Sequence, residues 1–233
     1  MKRILTTIFV AFSISAVAQS NFHKLSLGAG YGLTRSYADL PEKNYDQALY
    51  GTADFLFTPF ISLGLEVQNG EIKGGWTKKD PYNRQFKNSY RSLTANAKVQ
   101  LGAFVDYNHS AILNHLKGLY LGAGVGAIQN RNRVLERRVP GAGREVYIPF
   151  TKEAIIPLNA GINYYIPDRN GQYRFVVNAN YQTTIALGEG LDGYDGQSQR
   201  MIAGKPDVYT YMTLGLKYNF GPLGVSSKTF VKY

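Results

Sequence analysis

The stretch Leu-Thr-Ala-Asn-Ala-Lys-Val-Gln-Leu at residues 93–101 alternates at every step between small or apolar side chains and polar ones. A period of two is that of a β-strand whose two faces meet different surroundings. Its nine residues are also close to the length at which a tilted strand crosses a bilayer. The stretch therefore predicts a strand with one apolar and one polar face that is long enough to span a membrane.

Seven further stretches show the same alternation. With the first, extended to 91–105, they are 25–33, 48–57, 60–68, 118–129, 155–165, 173–182 and 208–220. Long connectors (35–47, 69–90, 130–154 and 183–207) alternate with shorter ones (58–59, 106–117 and 167–172). Short periplasmic turns and long extracellular loops are typical of outer-membrane barrels. The sequence predicts an all-β fold, an eight-stranded antiparallel transmembrane β-barrel with both termini on the periplasmic side.

A soluble β-barrel is the main alternative, and it would expose the polar face of each strand to water. Here that face carries mostly Gly, Asn and Thr with few charges, which suits a solvated surface poorly. Aromatic residues also gather at strand ends, as in the periplasmic girdle of a membrane barrel. They are Phe57, Phe60, Phe104, Tyr164, Tyr173, Tyr218 and Phe220. Both features favour the membrane barrel.

The N-terminus has the layout of a secretory signal peptide. Lys2 and Arg3 precede an apolar run at 4–14, and Ala-Val-Ala follows at 16–18. We expect cleavage after Ala18, which divides the chain into a signal peptide (1–18), an outer-membrane barrel (19–220) and a C-terminal tail (221–233). No later segment approaches the roughly 18 consecutive apolar residues that a membrane helix needs.

The amino-acid composition limits which binding partners and cofactors are expected. The formal net charge is +10, which can indicate nucleic acid binding, but an exported protein meets lipopolysaccharide and anionic phospholipid phosphates instead. We therefore expect outer-membrane lipid as a partner and no nucleic acid. The absence of Cys excludes disulfides and thiol chemistry. His23, His109 and His115 lack carboxylate neighbours, so we expect neither a metal site nor a cofactor.

Several motifs resemble the small outer-membrane barrels of the OmpA/OmpX-like class, in particular the β-barrel families common in Bacteroidetes. They are Ser-Ala-Val-Ala-Gln at 15–19, LSLGAGYGL at 25–33, LYLGAGVGA at 119–127 and YMTLGLKYNF at 211–220. The resemblance implies an outer-membrane location and insertion by the barrel-assembly machinery, which reads such a terminal strand. Family members usually end at that aromatic residue, whereas 13 residues follow Phe220 here.

The alternating glycines at 28–32 and 122–126 do not fit a nucleotide-binding loop, because no turn into a helix follows them. We expect them to face the lumen and to make room there for large neighbours, namely Tyr50, Tyr120 and Tyr211.

Six charged residues fall on the inward face of the predicted strands: Lys24, Asp54, Glu66, Lys98, Arg174 and Lys217. An eight-stranded barrel is just wide enough for side chains to fill, so these groups must pair or be hydrated. We expect Glu66 to pair with Lys98, and Asp54 to lie near Lys24 and Lys217. A structural network of ion pairs is favoured over an ion pathway.

The third long connector is rich in arginine: Arg131, Arg133, Arg137, Arg138 and Arg144. A guanidinium group binds phosphate in a bidentate manner. We hypothesise that these residues bind lipopolysaccharide phosphates or an acidic partner, with ordinary solvated loop charge as the alternative.

These features favour a non-enzymatic barrel with a structural or surface-binding role, or an accessory role in a larger outer-membrane complex. One alternative is an outer-leaflet lipid-modifying enzyme, which would need catalytic side chains near the extracellular rim, where no His is expected. The other is a narrow channel, which a filled lumen argues against.

Overall fold

A computed structural model describes residues 24–37, 44–75, 85–107, 110–136, 150–169, 172–188, 191, 207–220 and 225–226. The predicted signal peptide at 1–18 lies outside the described residues, as does the tail apart from residues 225–226. No helix in the described segments is long and apolar enough to cross a membrane.

The described chain forms eight long antiparallel strands and one short one. They are β1 (Leu25–Ser36), β2 (Tyr45–Thr58), β3 (Ile61–Gly75), β4 (Gln85–Gln100), β5 (Leu119–Glu136), β6 (Phe150–Pro167), β7 (Gln172–Ala186), β8 (Val208–Phe220) and β9 (Val225–Ser226). Each of the first eight pairs with its sequence neighbours, and β8 pairs with β1 to close the ring. The predicted eight-stranded transmembrane barrel is confirmed.

The barrel is strongly staggered. A row of paired residues that starts at Leu25 passes through all eight strands and returns to β1 at Arg35, ten residues further along. Such a stagger requires the strands to tilt against the barrel axis. Because of the tilt, strands of 12 to 18 residues both cross a bilayer and extend beyond it.

Side-chain burial along the strands is the reverse of that in a soluble protein. Leu121 and Leu214 on the outer wall are 72% and 63% exposed, whereas Gln68 and Gln182 inside are fully buried. Such an apolar outer surface is stable only against hydrocarbon, and the polar interior is stable because its groups bond to one another. The soluble-barrel alternative is therefore wrong.

The strands on the extracellular side are longer than the sequence alternation predicts, and the loops are shorter. In and beside these extensions the outward face becomes polar, and apolar side chains join the inward face. Ile72, Phe86, Ile128 and Ile155 point inward and are at most 1% exposed, while charged side chains face outward. The physical reason is that this part of the barrel stands above the membrane in water, where the pattern of a soluble barrel is the stable one.

The periplasmic end also differs from expectation in detail. β4 ends at Gln100, so Phe104 and Val105 are not part of it; the chain continues through a 3-10 turn (Leu101–Ala103) and a short helix, α1 (Ala111–Leu116). The tail returns as β9, which pairs with Gln172 and Tyr173 at the start of β7.

Candidate functional site: a filled lumen and a basic rim

Tyrosines fill the middle of the lumen because glycines are paired with them on the neighbouring strands. A Cβ atom on Gly30 would lie 2.5 Å from the Tyr50 ring, and one on Gly161 would lie 2.6 Å from the Tyr120 hydroxyl. Tyr50 also packs edge-on against Tyr211, with ring centroids 6.3 Å apart. The expectation is confirmed for Gly30 and Gly32, which contact Tyr50 and Tyr211. It is wrong for the glycines at 122–126, which contact Lys98, Asn96 and Thr94 instead.

One carboxylate and two ammonium groups form the charged part of the lumen, close to its periplasmic end. Lys217 Nζ donates to Asp54 Oδ2 at 2.7 Å, and Lys98 Nζ lies 3.5 Å from Asp54 Oδ1. All three side chains are at most 6% exposed. We call Asp54, Lys98 and Lys217 the lumen cluster. Asp54 holds two cations from strands on either side of β2, so the cluster ties β2, β4 and β8 together.

The expected pairing of Glu66 with Lys98 is wrong. Glu66 lies opposite Thr94 in the β3–β4 register, whereas Lys98 lies opposite Ser62, nearer the periplasm. Glu66 instead accepts a hydrogen bond from Gln68 Nε2 at 2.7 Å. The sequence placed both residues on the inward face, but their relative depth depends on the register of the β3–β4 hairpin.

Lys24 and Arg174 do not belong to the lumen cluster. Lys24 precedes β1, where its backbone carbonyl accepts from the Leu56 amide, and its side chain is partly exposed. Arg174 lies where the β6–β7 register shifts, and its Nε is 3.2 Å from Asp168 at the periplasmic end of the barrel. The irregular register turns Tyr173 inward and takes Arg174 out of the lumen.

An asparagine–tyrosine network spans the lumen above the cluster. Asn178 is its centre: its Nδ2 donates to the Tyr120 hydroxyl at 3.0 Å and to Asn163 Oδ1 at 2.8 Å. The Tyr50 hydroxyl donates to Asn178 Oδ1 from the opposite wall at 3.3 Å. The lumen is thus bridged between β2, β5, β6 and β7.

A second centre, Gln68, bridges the lumen nearer the extracellular side. Its Nε2 donates to Gln182 Oε1 at 2.6 Å as well as to Glu66, and its Oε1 accepts from the Tyr90 hydroxyl at 3.2 Å. Gln68 and Gln182 lie on opposite sides of the ring, so their bond closes the passage at this level.

Both mouths of the barrel are covered. At the extracellular end, the inward apolar residues form a core to which Leu191 contributes from the fourth loop; its carbonyl accepts from Asn88 Nδ2 at 3.0 Å. At the periplasmic end, Phe60 of the β2–β3 turn and Tyr107 of the β4–β5 connection meet Tyr173 at the start of β7. Phe60 and Tyr173, expected in the outward girdle, are therefore part of this inner cover.

Lys117 and His115 both contact aromatic side chains at the periplasmic end of the barrel. Lys117 follows α1, and its Nζ donates to Asn114 Oδ1 at 2.8 Å and to the Tyr173 hydroxyl at 3.1 Å. Burial lowers the pKa of Lys117 to about 8. His115 stacks on Tyr164 with ring centroids 6.2 Å apart; His23 and His109 lie outside the described residues.

A small cavity of about 20 Å³ lies beside the lumen cluster, with Ser26, Ser62 and Gln100 among its lining residues. This volume holds about one water molecule. It is part of a filled interior and not a passage.

The arginines predicted to bind lipid are only partly described. Arg131 is exposed on the outer face of β5, and the backbone of Arg133 continues the same strand. Arg137, Arg138 and Arg144 lie outside the described residues. The structure adds two outward cations that the sequence analysis left out, Arg91 on β4 and Lys152 on β6. Their outward parity could have been read from the alternation of the neighbouring Leu93 and Leu158.

No family model matches the sequence, and no curated protein matches it. Among solved structures, Neisserial surface protein A has a TM-score of 0.48 at 13% identity, covering 84% of this chain and 97% of its own. Ail, the attachment invasion locus protein of Yersinia pestis, has a TM-score of 0.47 at 13% identity, covering 85% and 99%. OprG of Pseudomonas aeruginosa has a TM-score of 0.39 at 12% identity, covering 87% and 99%.

Proposed function

We propose that this chain is an exported, non-enzymatic outer-membrane protein whose sealed barrel anchors and displays a binding surface at the outside of the cell. The observation that carries the proposal is the filled lumen. Side chains from opposite walls bond to each other at the lumen cluster, at Asn178 and at Gln68, and packed side chains cover both mouths. A rigid barrel of this kind suits a structural or binding role and not transport.

The outer wall supports the location. It exposes leucine, valine and aromatic side chains around the ring, and aromatic residues such as Phe57, Tyr164 and Phe220 remain outward at the periplasmic edge. An apolar band flanked by aromatic residues is the surface that an outer-membrane barrel presents to lipid. β8 ends at the outward Phe220, which fits insertion by the barrel-assembly machinery.

The test is fractionation followed by reconstitution. We expect the protein in the outer-membrane fraction, with faster electrophoretic migration when unboiled, and no discrete conductance steps when the purified barrel enters a planar bilayer. A porin reconstituted from the same detergent is the positive control. Recovery as a soluble periplasmic monomer, or reproducible open-channel steps from the purified protein, would contradict the proposal.

A further inference from the structure

Three exposed cations lie together on the outer wall at the upper edge of the apolar band. In the register, Arg91 on β4 is opposite Gln129 on β5, and Gln129 is opposite Lys152 on β6. Arg131 is two residues further along β5 on the same face. Directly opposed side chains have Cβ atoms about 4.5–5.5 Å apart, and diagonal ones remain within reach of long side chains. We call Arg91, Arg131 and Lys152 the rim cations.

The position of the rim cations coincides with the membrane surface. Below the row of Arg91, Gln129 and Lys152, the next outward row toward the membrane is Leu93, Ala127 and Ala154. From there the wall is apolar, with Val125 66% exposed. Phe150, which is opposite Arg131 in the register, is exposed with its ring centroid 5.8 Å from Lys152 Nζ. Aromatic side chains prefer the level of lipid head groups, so the rim cations face the head groups of the outer leaflet.

The rim cations also differ from three other cations on the extracellular part of the strands. Lys87 is 2.7 Å from Glu71, Lys73 is 2.8 Å from Asp46, and Arg35 donates to the Tyr45 hydroxyl at 3.2 Å beside its ring. Glu71 is diagonal to Arg91 in the β3–β4 register, and it is already engaged by Lys87. Within the described part of the chain, no carboxylate pairs with Arg91, Arg131 or Lys152.

We propose that the rim cations bind the phosphate of an anionic outer-leaflet lipid, with its acyl chains lying on the apolar wall below them. Two guanidinium groups and one ammonium group offer charge-assisted hydrogen bonds to a phosphate that is held at their own height. The adjoining wall supplies the apolar surface that a free phosphate ion could not use. The site rests on the proposed outer-membrane location and uses only Arg131 of the arginines named from the sequence.

The test compares two variants with the same loss of charge. R91Q/R131Q/K152Q removes the rim cations, and R35Q/K73Q/K87Q removes three cations that already have partners. The purified barrels in neutral detergent are titrated with bis-phosphorylated lipid A, with dephosphorylated lipid A and with inorganic phosphate, and bound lipid is counted by native mass spectrometry. Unboiled electrophoretic migration verifies that each variant is folded.

We expect R91Q/R131Q/K152Q to bind phosphorylated lipid A at least about tenfold more weakly than the wild type, since it loses charged hydrogen bonds. R35Q/K73Q/K87Q should stay within about twofold of the wild type, and dephosphorylated lipid A should bind the wild type as weakly as the phosphorylated form binds the rim variant. If a triple variant does not fold, R131Q and R35Q provide the same comparison.

Equal losses in both triple variants would overturn the proposal in favour of general charge attraction. Equal binding of both lipids by the wild type, or displacement of lipid A by an equal concentration of inorganic phosphate, would also overturn it. These readings are made on the purified barrel, so they are independent of whether the lumen conducts, which is the test of the proposed function.

Discussion

Cations occupy two regions of this barrel under opposite conditions. In the lumen cluster, Lys98 and Lys217 are removed from solvent and share the carboxylate of Asp54. At the outer wall, Arg91, Arg131 and Lys152 are exposed and have no described acidic partner. A buried charge without a partner costs several kcal/mol, roughly, whereas an exposed one costs little. The lumen cations therefore stabilise the fold, whereas the rim cations can bind a ligand without loss of folding stability.

The largest expected effect comes from breaking the lumen cluster. Asp54→Ala leaves two buried lysines without their shared carboxylate, and we expect a loss of about 3–5 kcal/mol in the free energy of unfolding. Denaturant unfolding in detergent micelles measures it. The triple variant D54N/K98M/K217M, which removes all three charges together, should recover much of the loss. An unchanged denaturation midpoint for Asp54→Ala would show that the cluster does not hold the barrel together.

A smaller loss of stability is expected from adding a methyl group to an inward glycine, but not from adding one to an outward glycine. Gly30→Ala would place a Cβ atom 2.5 Å from both the Leu214 carbonyl and the Tyr50 ring. Such overpacking costs about 1–3 kcal/mol, to be measured by the same unfolding experiment. Gly51→Ala, on the outer face of the neighbouring strand, meets nothing nearer than 3.9 Å and serves as the matched control. Equal stability of the two variants would mean that Tyr50 does not fill the lumen at Gly30.

The smallest expected effect concerns a third kind of cation, Lys117 at the periplasmic mouth. Its pKa is lowered to about 8 by burial, so the folded protein releases this proton before the unfolded chain does. Between pH 8 and the ordinary lysine value of about 10.5, the unfolded state binds more protons, and this group makes stability rise with pH.

The measurement is the denaturation midpoint at several pH values across that window. The midpoint of the wild type should therefore gain on that of Lys117→Met as the pH rises through this window. Burial raises the pKa of the neighbouring Tyr107, which makes stability fall with pH near the ordinary tyrosine value, but this contribution is common to both proteins and cancels in the difference. Parallel pH profiles for the wild type and Lys117→Met would contradict a depressed pKa at this position.

Alternation alone identified all eight long strands and which face of each points to lipid, because the period of two is a local property of the chain. It predicted the bounds of β8 correctly, since that strand keeps one pattern from end to end. It underestimated the lengths of β3, β4, β5 and β6 on the extracellular side, where the outward face becomes polar and apolar side chains enter the interior. Ile72 and Phe86 were consequently assigned to loops although they lie in strands and in the core.

The pairing of side chains across the lumen was less predictable than the face of the strand on which each side chain lies. Asp54, Glu66, Lys98 and Lys217 all point inward as their positions in the strands require, but a stagger of ten residues decides which of them share a depth. A change of two residues in the β3–β4 register would alter the neighbours of Lys98 while leaving every side chain on its own face. Arg174 left the lumen for the same reason, through a register shift beside Pro167.

The sequence by itself determined that this chain forms a transmembrane barrel with a polar interior, because the two faces of each strand meet lipid or lumen and the chain encodes that difference residue by residue. The sequence also placed Lys217 near Asp54, but only the tertiary structure decided that Lys98 joins them and that Gln68 reaches Gln182. It alone decided that Arg91, Arg131 and Lys152 share one patch of the outer wall. These are relations between distant strands, and they depend on the register and closure of the whole ring.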